Sequence, residues 1–132
     1  MDFKLGTWGT NDRWDEDPTI TISDYRISFN VQFVKQYNLQ TAQYVYINGP
    51  IRKDANHIQI VFLLSEKADV VPGVKPFKLN KHPKVERYQT TPKTWFDKNN
   101  LRVDQVAGAY TPIEKKDPRL GTLFVIEIEV KK

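Results

Sequence analysis

The chain has 132 residues, 39% hydrophobic and 12% aromatic, with a formal charge of +4; this is the size of one domain, with enough apolar content to build a core rather than stay disordered. It has no cysteine, which excludes disulfides, thiolate metal sites and cysteine nucleophiles. The opening Met1-Asp2-Phe3-Lys4-Leu5-Gly6 lacks the basic and apolar regions of a secretory signal, and the longest apolar run, residues 60–64, is far short of a bilayer crossing, so a cytoplasmic protein without a membrane partner is expected.

Residues 1–17 read as an extended acidic arm, with Trp8 and Trp14 set among Gly, Asn and Asp. In residues 1–25 Lys4 and Arg13 face Asp2, Asp12, Asp15, Glu16, Asp17 and Asp24, a net of −4, which leaves +8 for the rest. The body, residues 18–132, is expected to be a single β-rich domain. Thr19-Ile20-Thr21-Ile22 and Arg26-Ile27-Ser28-Phe29 alternate as half-buried strands do, and Ser23-Asp24-Tyr25 turns between them. Asn30 stands at a natural helix N-cap, where its side-chain oxygen can accept from free first-turn amides; the helix runs over residues 31–38, with Asn38 as C-cap. Strands follow over residues 43–47 and 57–63, joined by a loop carrying Gly49-Pro50 and Asp54-Ala55-Asn56.

Residues 65–83 hold Pro72, Gly73, Pro76 and Pro83 and read mostly as loop, with a short edge strand over 74–79 and another strand over 84–90. Thr91-Pro92 opens a second helix with a hydroxyl N-cap and proline at its first position, ending at Asn99-Asn100. Residues 106–113 form a strand, 116–121 a turn, and 122–130 a strand with Phe124, Ile126, Ile128 and Val130 on one face and Glu127 and Glu129 on the other. The fold class expected is α+β, a predominantly antiparallel β-sheet with two short helices. The order strand, strand, helix, strand, strand occurs twice, in halves 18–64 and 74–132. An offset of 62 residues pairs Phe33 with Trp95, Val34 with Phe96, Asn38 with Asn100 and Leu39 with Leu101, as a duplicated unit or a chance likeness would.

Catalytic and cofactor chemistry find no motif. His57 and His82 lie 25 residues apart with no partnering ligands, and the Asp12, Asp15, Glu16, Asp17 cluster lacks the glycine and terminal glutamate of a calcium loop. Ser23, Ser28 and Ser65 are the only serines, none in a nucleophile elbow, and the six glycines build no phosphate loop. The expectation is a protein that is not an enzyme, with no catalytic residues, no metal and no cofactor.

The basic stripe is the one positive signal. Lys75, Lys78, Lys81, Lys84 and Arg87 are opposed only by Glu86, a pattern that draws phosphate and that a solvated lysine-rich loop also shows. Tyr44 and Tyr46 alternate with Val45 and Ile47 and so share a sheet face, where they either stack bases or pack across strands.

Ile20 to Ser23, Ile27 to Asn30, Tyr44-Val45 and Ile58 to Ile60 together resemble a motif of uncharacterised small bacterial and viral proteins. The strand, turn, strand and capped helix are also faintly similar to swapped-hairpin (AbrB-like) transcription factors. The resemblance covers about a third of the chain, with Tyr25-Arg26 in place of the glycine-basic turn of those factors, and it transfers no functional residue. The sequence thus leads to a small non-catalytic protein that binds DNA or RNA through Lys75, Lys78, Lys81, Lys84, Arg87, Tyr44 and Tyr46. The alternative is a protein-interaction or assembly module of viral or mobile-element origin, a homo-oligomer built through a strand edge or the acidic arm.

Overall fold

The computed structural model describes residues 17–84 and 87–131. Strand β1 (Ile20–Ser23) and β2 (Arg26–Phe29) form a tight hairpin. Its two turn residues, Asp24 and Tyr25, have φ of 50° and 60°, the paired positive values that match the turn to the twist of its strands. Alternation sends Ile20, Ile22, Ile27 and Phe29 into the core, all fully buried. Helix α1 (Val31–Gln36) starts at Asn30, whose Oδ1 accepts from the Phe33 amide at 2.9 Å, as expected of an N-cap, and from the Thr19 amide at 3.0 Å. One side chain therefore fixes both the helix start and the entry of β1.

The long hairpin of β3 (Tyr44–Arg52) and β4 (His57–Ser65) follows. Next come β5 (Phe77–Lys78), β6 (Asn80–Lys81), β7 (Tyr88–Thr90), α2 (Lys93–Lys98), α3 (Val103–Val106), β8 (Gly108–Tyr110), β9 (Ile113–Asp117) and β10 (Gly121–Glu129). The strands form two five-stranded sheets, wholly antiparallel: β6-β7-β2-β1-β8 and β5-β3-β4-β10-β9. The sheets share one core. Phe29 of β2 meets Phe62 of β4 edge to face at 5.8 Å, and Phe33 of α1 meets Phe124 of β10 at 4.7 Å. The α+β class dominated by antiparallel sheet is thus the observed one.

The order strand, strand, helix, strand, strand runs through β1-β2-α1-β3-β4 and again through β6-β7-α2-β9-β10, with α3 and β8 added. Each first hairpin joins the first sheet and each second hairpin the second. The halves meet where β2 pairs with β7 and β4 with β10, both antiparallel, which is the arrangement of an approximate two-fold axis through both seams. On the β4–β10 seam Phe62, Val61, Ile60 and Ile58 stand opposite Phe124, Val125, Ile126 and Ile128.

Several expected elements differ. A third helix among the described residues, α3, ends at Val106, the first residue of the strand expected over 106–113, which narrows to β8; the Arg102 amide donates to the Gln105 side chain and the Tyr110 hydroxyl donates to the Val106 carbonyl. The strand expected over 74–79 narrows to β5, and β6 follows in the other sheet, since buried Leu79 carries the chain from one sheet into the other. Of the strand expected over 84–90, Tyr88–Thr90 form β7, and residues 85 and 86 lie outside those described. Gly49-Pro50 does not end β3, which continues to Arg52 with a register shift between Asn48 and Ile51. Pro92, not Thr91, caps α2, with no side-chain cap bond. The arm expected over 1–17, with Trp8 and Trp14, lies outside the described residues except for Asp17. Among the described residues no helix is long and apolar enough to cross a membrane.

Candidate nucleic-acid interface

The inward face of the first sheet is apolar, so strand alternation leaves its outward face polar. Register puts Ala109, Thr21, Ser28, Gln89 and Asn80 in one row across β8, β1, β2, β7 and β6. The five strands contain no aspartate or glutamate. Arg26 precedes Ser28 by two residues and Arg87 precedes Gln89 by two. Because Ser28 and Gln89 face each other on antiparallel strands, the two arginines flank that pair from opposite ends, on the same face.

A cleft of about 310 Å³ lies between them, lined by Thr21, Arg26, Ser28, Asn30, Arg87 and Gln89. Both arginines are exposed, and among the described residues neither has a carboxylate partner. Asn30 is committed to the fold, its Nδ2 donating to the Asp17 carbonyl at 3.0 Å in addition to the two bonds its Oδ1 accepts. Among the described residues the hydroxyls of Thr21 and Ser28 and the amide of Gln89 have no side-chain hydrogen bond and form the polar floor. Arginine forks matched to such a floor suit an anion with several oxygens.

The residues expected from the sequence are not gathered there as a group. Lys75 sits in the loop after β4, beside Asp69 and Gly73 on the rim of a separate shallow depression. Lys78 is opposite Tyr44, and since Val45 and Phe77 point to the core, this pair lies on the outward face of the second sheet. Lys81 is opposite Tyr88 on the core side; its Nζ donates to the Gln40 carbonyl at 3.0 Å and stands 4.9 Å from the Tyr88 ring centre. Lys84 is exposed in the turn between β6 and β7, its amide donating to His82 Nδ1 at 3.1 Å. The stripe thus wraps an edge of the sandwich, because the chain changes sheet at Leu79, and only Arg87 reaches the cleft.

Tyr44 and Tyr46 do share the outward face of the second sheet. Tyr46, however, is only 5% exposed, and its hydroxyl accepts from the Val70 amide at 3.0 Å. Its ring is packed under the 66–76 loop rather than bare for stacking. Arg26 is the residue that sequence reasoning missed. Alternation with Ile27 and Phe29 places it outside, but its meeting with Arg87 follows from the β2–β7 pairing, which no local pattern announces.

Away from the first sheet, the β3–β4 turn brings Asp54, Glu127 and Glu129 near His57. Asp54 Oδ1 lies 2.9 Å from His57 Nδ1, Glu129 is the register partner of His57, and Lys53 reaches Glu127 at 4.0 Å. The hydrogen bond to Asp54 raises the His57 pKa, with Glu129 and Glu127 adding to it. Among the described residues no group of three or more His, Asp or Glu is placed to hold a metal ion. No protein-family model, no curated protein and no solved structure matches this chain.

Proposed function

We propose that the protein binds nucleic acid without catalysis, through the outward face of the first sheet. The observation that carries this reading is a sheet whose strands lack any carboxylate, with two arginines that have no carboxylate partner among the described residues, over a floor of hydroxyl and amide groups. A face of this kind is attractive to phosphate at any sequence, and Lys84 at the adjoining β6–β7 turn extends the positive potential.

Fluorescence anisotropy with labelled DNA and RNA oligonucleotides over a salt series tests this. Affinity is expected to fall linearly on a log–log plot, and Arg87→Glu to weaken it at every salt concentration. Lys78→Glu, on the outward face of the other sheet, is expected to change it little. Binding unmoved by Arg26→Glu and Arg87→Glu together would overturn the assignment of this face.

A further inference from the structure

Arg26 and Arg87 occupy equivalent places on the two seam strands, at an offset one short of the 62 residues that relate the helices. They are 61 residues apart, each two residues ahead of a member of the Ser28–Gln89 pair, on the strands that form the seam between halves. Any ligand lying across this cleft meets the same guanidinium twice, in opposite directions. Double-stranded nucleic acid has that symmetry, since its two backbones run antiparallel and are related by two-folds perpendicular to the helix axis. Protein two-folds recur on duplex sites for this reason.

Resting on the reading above, we propose that the ligand of this face is a nucleic-acid duplex, held on its phosphate backbones with one arginine to each strand. The dimensions agree. Four residues at about 3.4 Å and one inter-strand step of about 4.8 Å put the two arginine Cα atoms about 14 Å apart, within side-chain reach of phosphates on both sides of a groove about 6–12 Å wide. Five strands spaced about 4.8 Å apart make a face about 19 Å wide, too broad to enter a major groove of about 12 Å, so the contacts fall on the backbones rather than the base edges. The side chains also argue against a single strand. Readers of single strands lay bases on aromatic rings. The outward positions of this sheet among the described residues are Thr21, Ser23, Arg26, Ser28, Asn80, Gln89 and Ala109, without one ring. The aromatic residues of these strands, Phe29, Tyr88 and Tyr110, pack on the core side.

The experiment compares a short blunt DNA duplex of mixed sequence with each of its separated strands, using wild type, R26A, R87A and the double variant. Urea unfolding of each variant confirms an intact fold, expected since both side chains are solvent-exposed. Duplex binding is expected to be tighter than strand binding and unchanged on scrambling the sequence. Each single variant is expected to lower the salt slope by about one, and the double variant by about two. Strands bound as tightly as the duplex, with the arginines still required, would overturn the duplex assignment while leaving the face as a nucleic-acid site. Duplex binding that depends on one arginine alone would overturn the one-per-strand arrangement. No binding to either probe would remove the functional reading itself.

Discussion

Asn38 and Asn100, 62 residues apart, end α1 and α2 in the same left-handed conformation, with φ of 54° and 53°. The surrounding bonds also match. Leu39 donates to Val34 and Leu101 to Phe96, both at 2.9 Å, while Asn38 donates to Lys35 at 3.3 Å and Asn100 to Asp97 at 3.1 Å. This double bond pattern closes a helix by satisfying its last carbonyls. The leucine that follows each asparagine packs against the core. The two helices thus carry one stop signal, used once in each half.

That stop has a measurable consequence. Asparagine tolerates the left-handed region better than other residues with a Cβ, and glycine better still. Asn38→Ala and Asn100→Ala are each expected to destabilise by about 1 kcal/mol, and Asn38→Gly to be neutral or stabilising. Urea midpoints check this, and an alanine variant as stable as wild type would remove the cap from the account.

Gly49 and Gly121 both hold positive φ, 117° and 94°, but they are not equivalent. A Cβ at Gly49 would stand 2.9 Å from the Gln59 carbonyl oxygen and 3.1 Å from the Ile51 amide nitrogen, backbone atoms held by the β3–β4 ladder. A Cβ at Gly121 would meet nothing within 4 Å. Gly121→Ala therefore costs backbone strain alone, about 1 kcal/mol, and Gly49→Ala adds a steric term, for about 2–4 kcal/mol together. Equal losses in thermal or urea unfolding would contradict the steric argument.

The β3–β4 turn gives a pH dependence whose sign is fixed. Asp54 Oδ1 accepts from the Asn56 and His57 amides at 2.8 and 2.9 Å, and the Asn56 bond, then the His57 ring, lower its pKa. His57 is shifted up, chiefly by its bond to Asp54. A raised histidine contributes stability that is full below its ordinary value and lost as pH rises through the folded one; the lowered aspartate contributes stability lost as pH falls through its folded value. The turn is therefore firmest between about pH 4 and 6.5. The charged groups facing the ring are Asp54, Glu127 and Glu129, with Lys53 drawn to Glu127. The urea midpoint is expected to decline from about pH 5.5 to about pH 8.5 by a margin that His57→Asn removes. A decline identical in both proteins would place its origin elsewhere.

The strands whose alternation is unbroken were readable from residue types alone. Ile20, Ile22, Ile27, Phe29, Phe124, Ile126 and Ile128 all point inward as period two requires, and Asn30 caps α1 as its position before Val31 implies. Most of the departures lie between Ser65 and Thr90, where prolines break the pattern and strands of two or three residues take their identity from partners. Phe77–Lys78 is a strand because of Tyr44 and Val45, and Asn80–Lys81 because of Tyr88 and Gln89. The same dependence on partners hid the cleft. Arg87 was visible as one end of a basic stripe, whereas Arg26 joined it only through pairing across the seam between halves. Sequence proximity grouped Lys78, Lys81 and Arg87; the change of sheet at Leu79 separates Lys78 from the other two, and strand alternation puts Lys81 and Arg87 on opposite faces of the first sheet.

Tyr46 shows how a residue suited to stacking can be committed to the fold instead. Its hydroxyl accepts the Val70 amide, and its ring is buried although it projects from the outward side of β3. Removing the hydroxyl leaves that amide without its acceptor, so Tyr46→Phe is expected to cost about 1 kcal/mol. The loss should be local, because the bond ties the 66–76 loop to the sheet rather than one sheet to the other. Amide exchange in residues 68–72 is therefore expected to speed up more than exchange in β4 or β10. Nucleic-acid affinity is expected to stay at the wild-type value, since Arg26 and Arg87 lie on the other sheet. Exchange that quickened equally throughout would show that the hydroxyl supports the whole domain. A fall in affinity would return Tyr46 to the binding surface, and the second sheet with it.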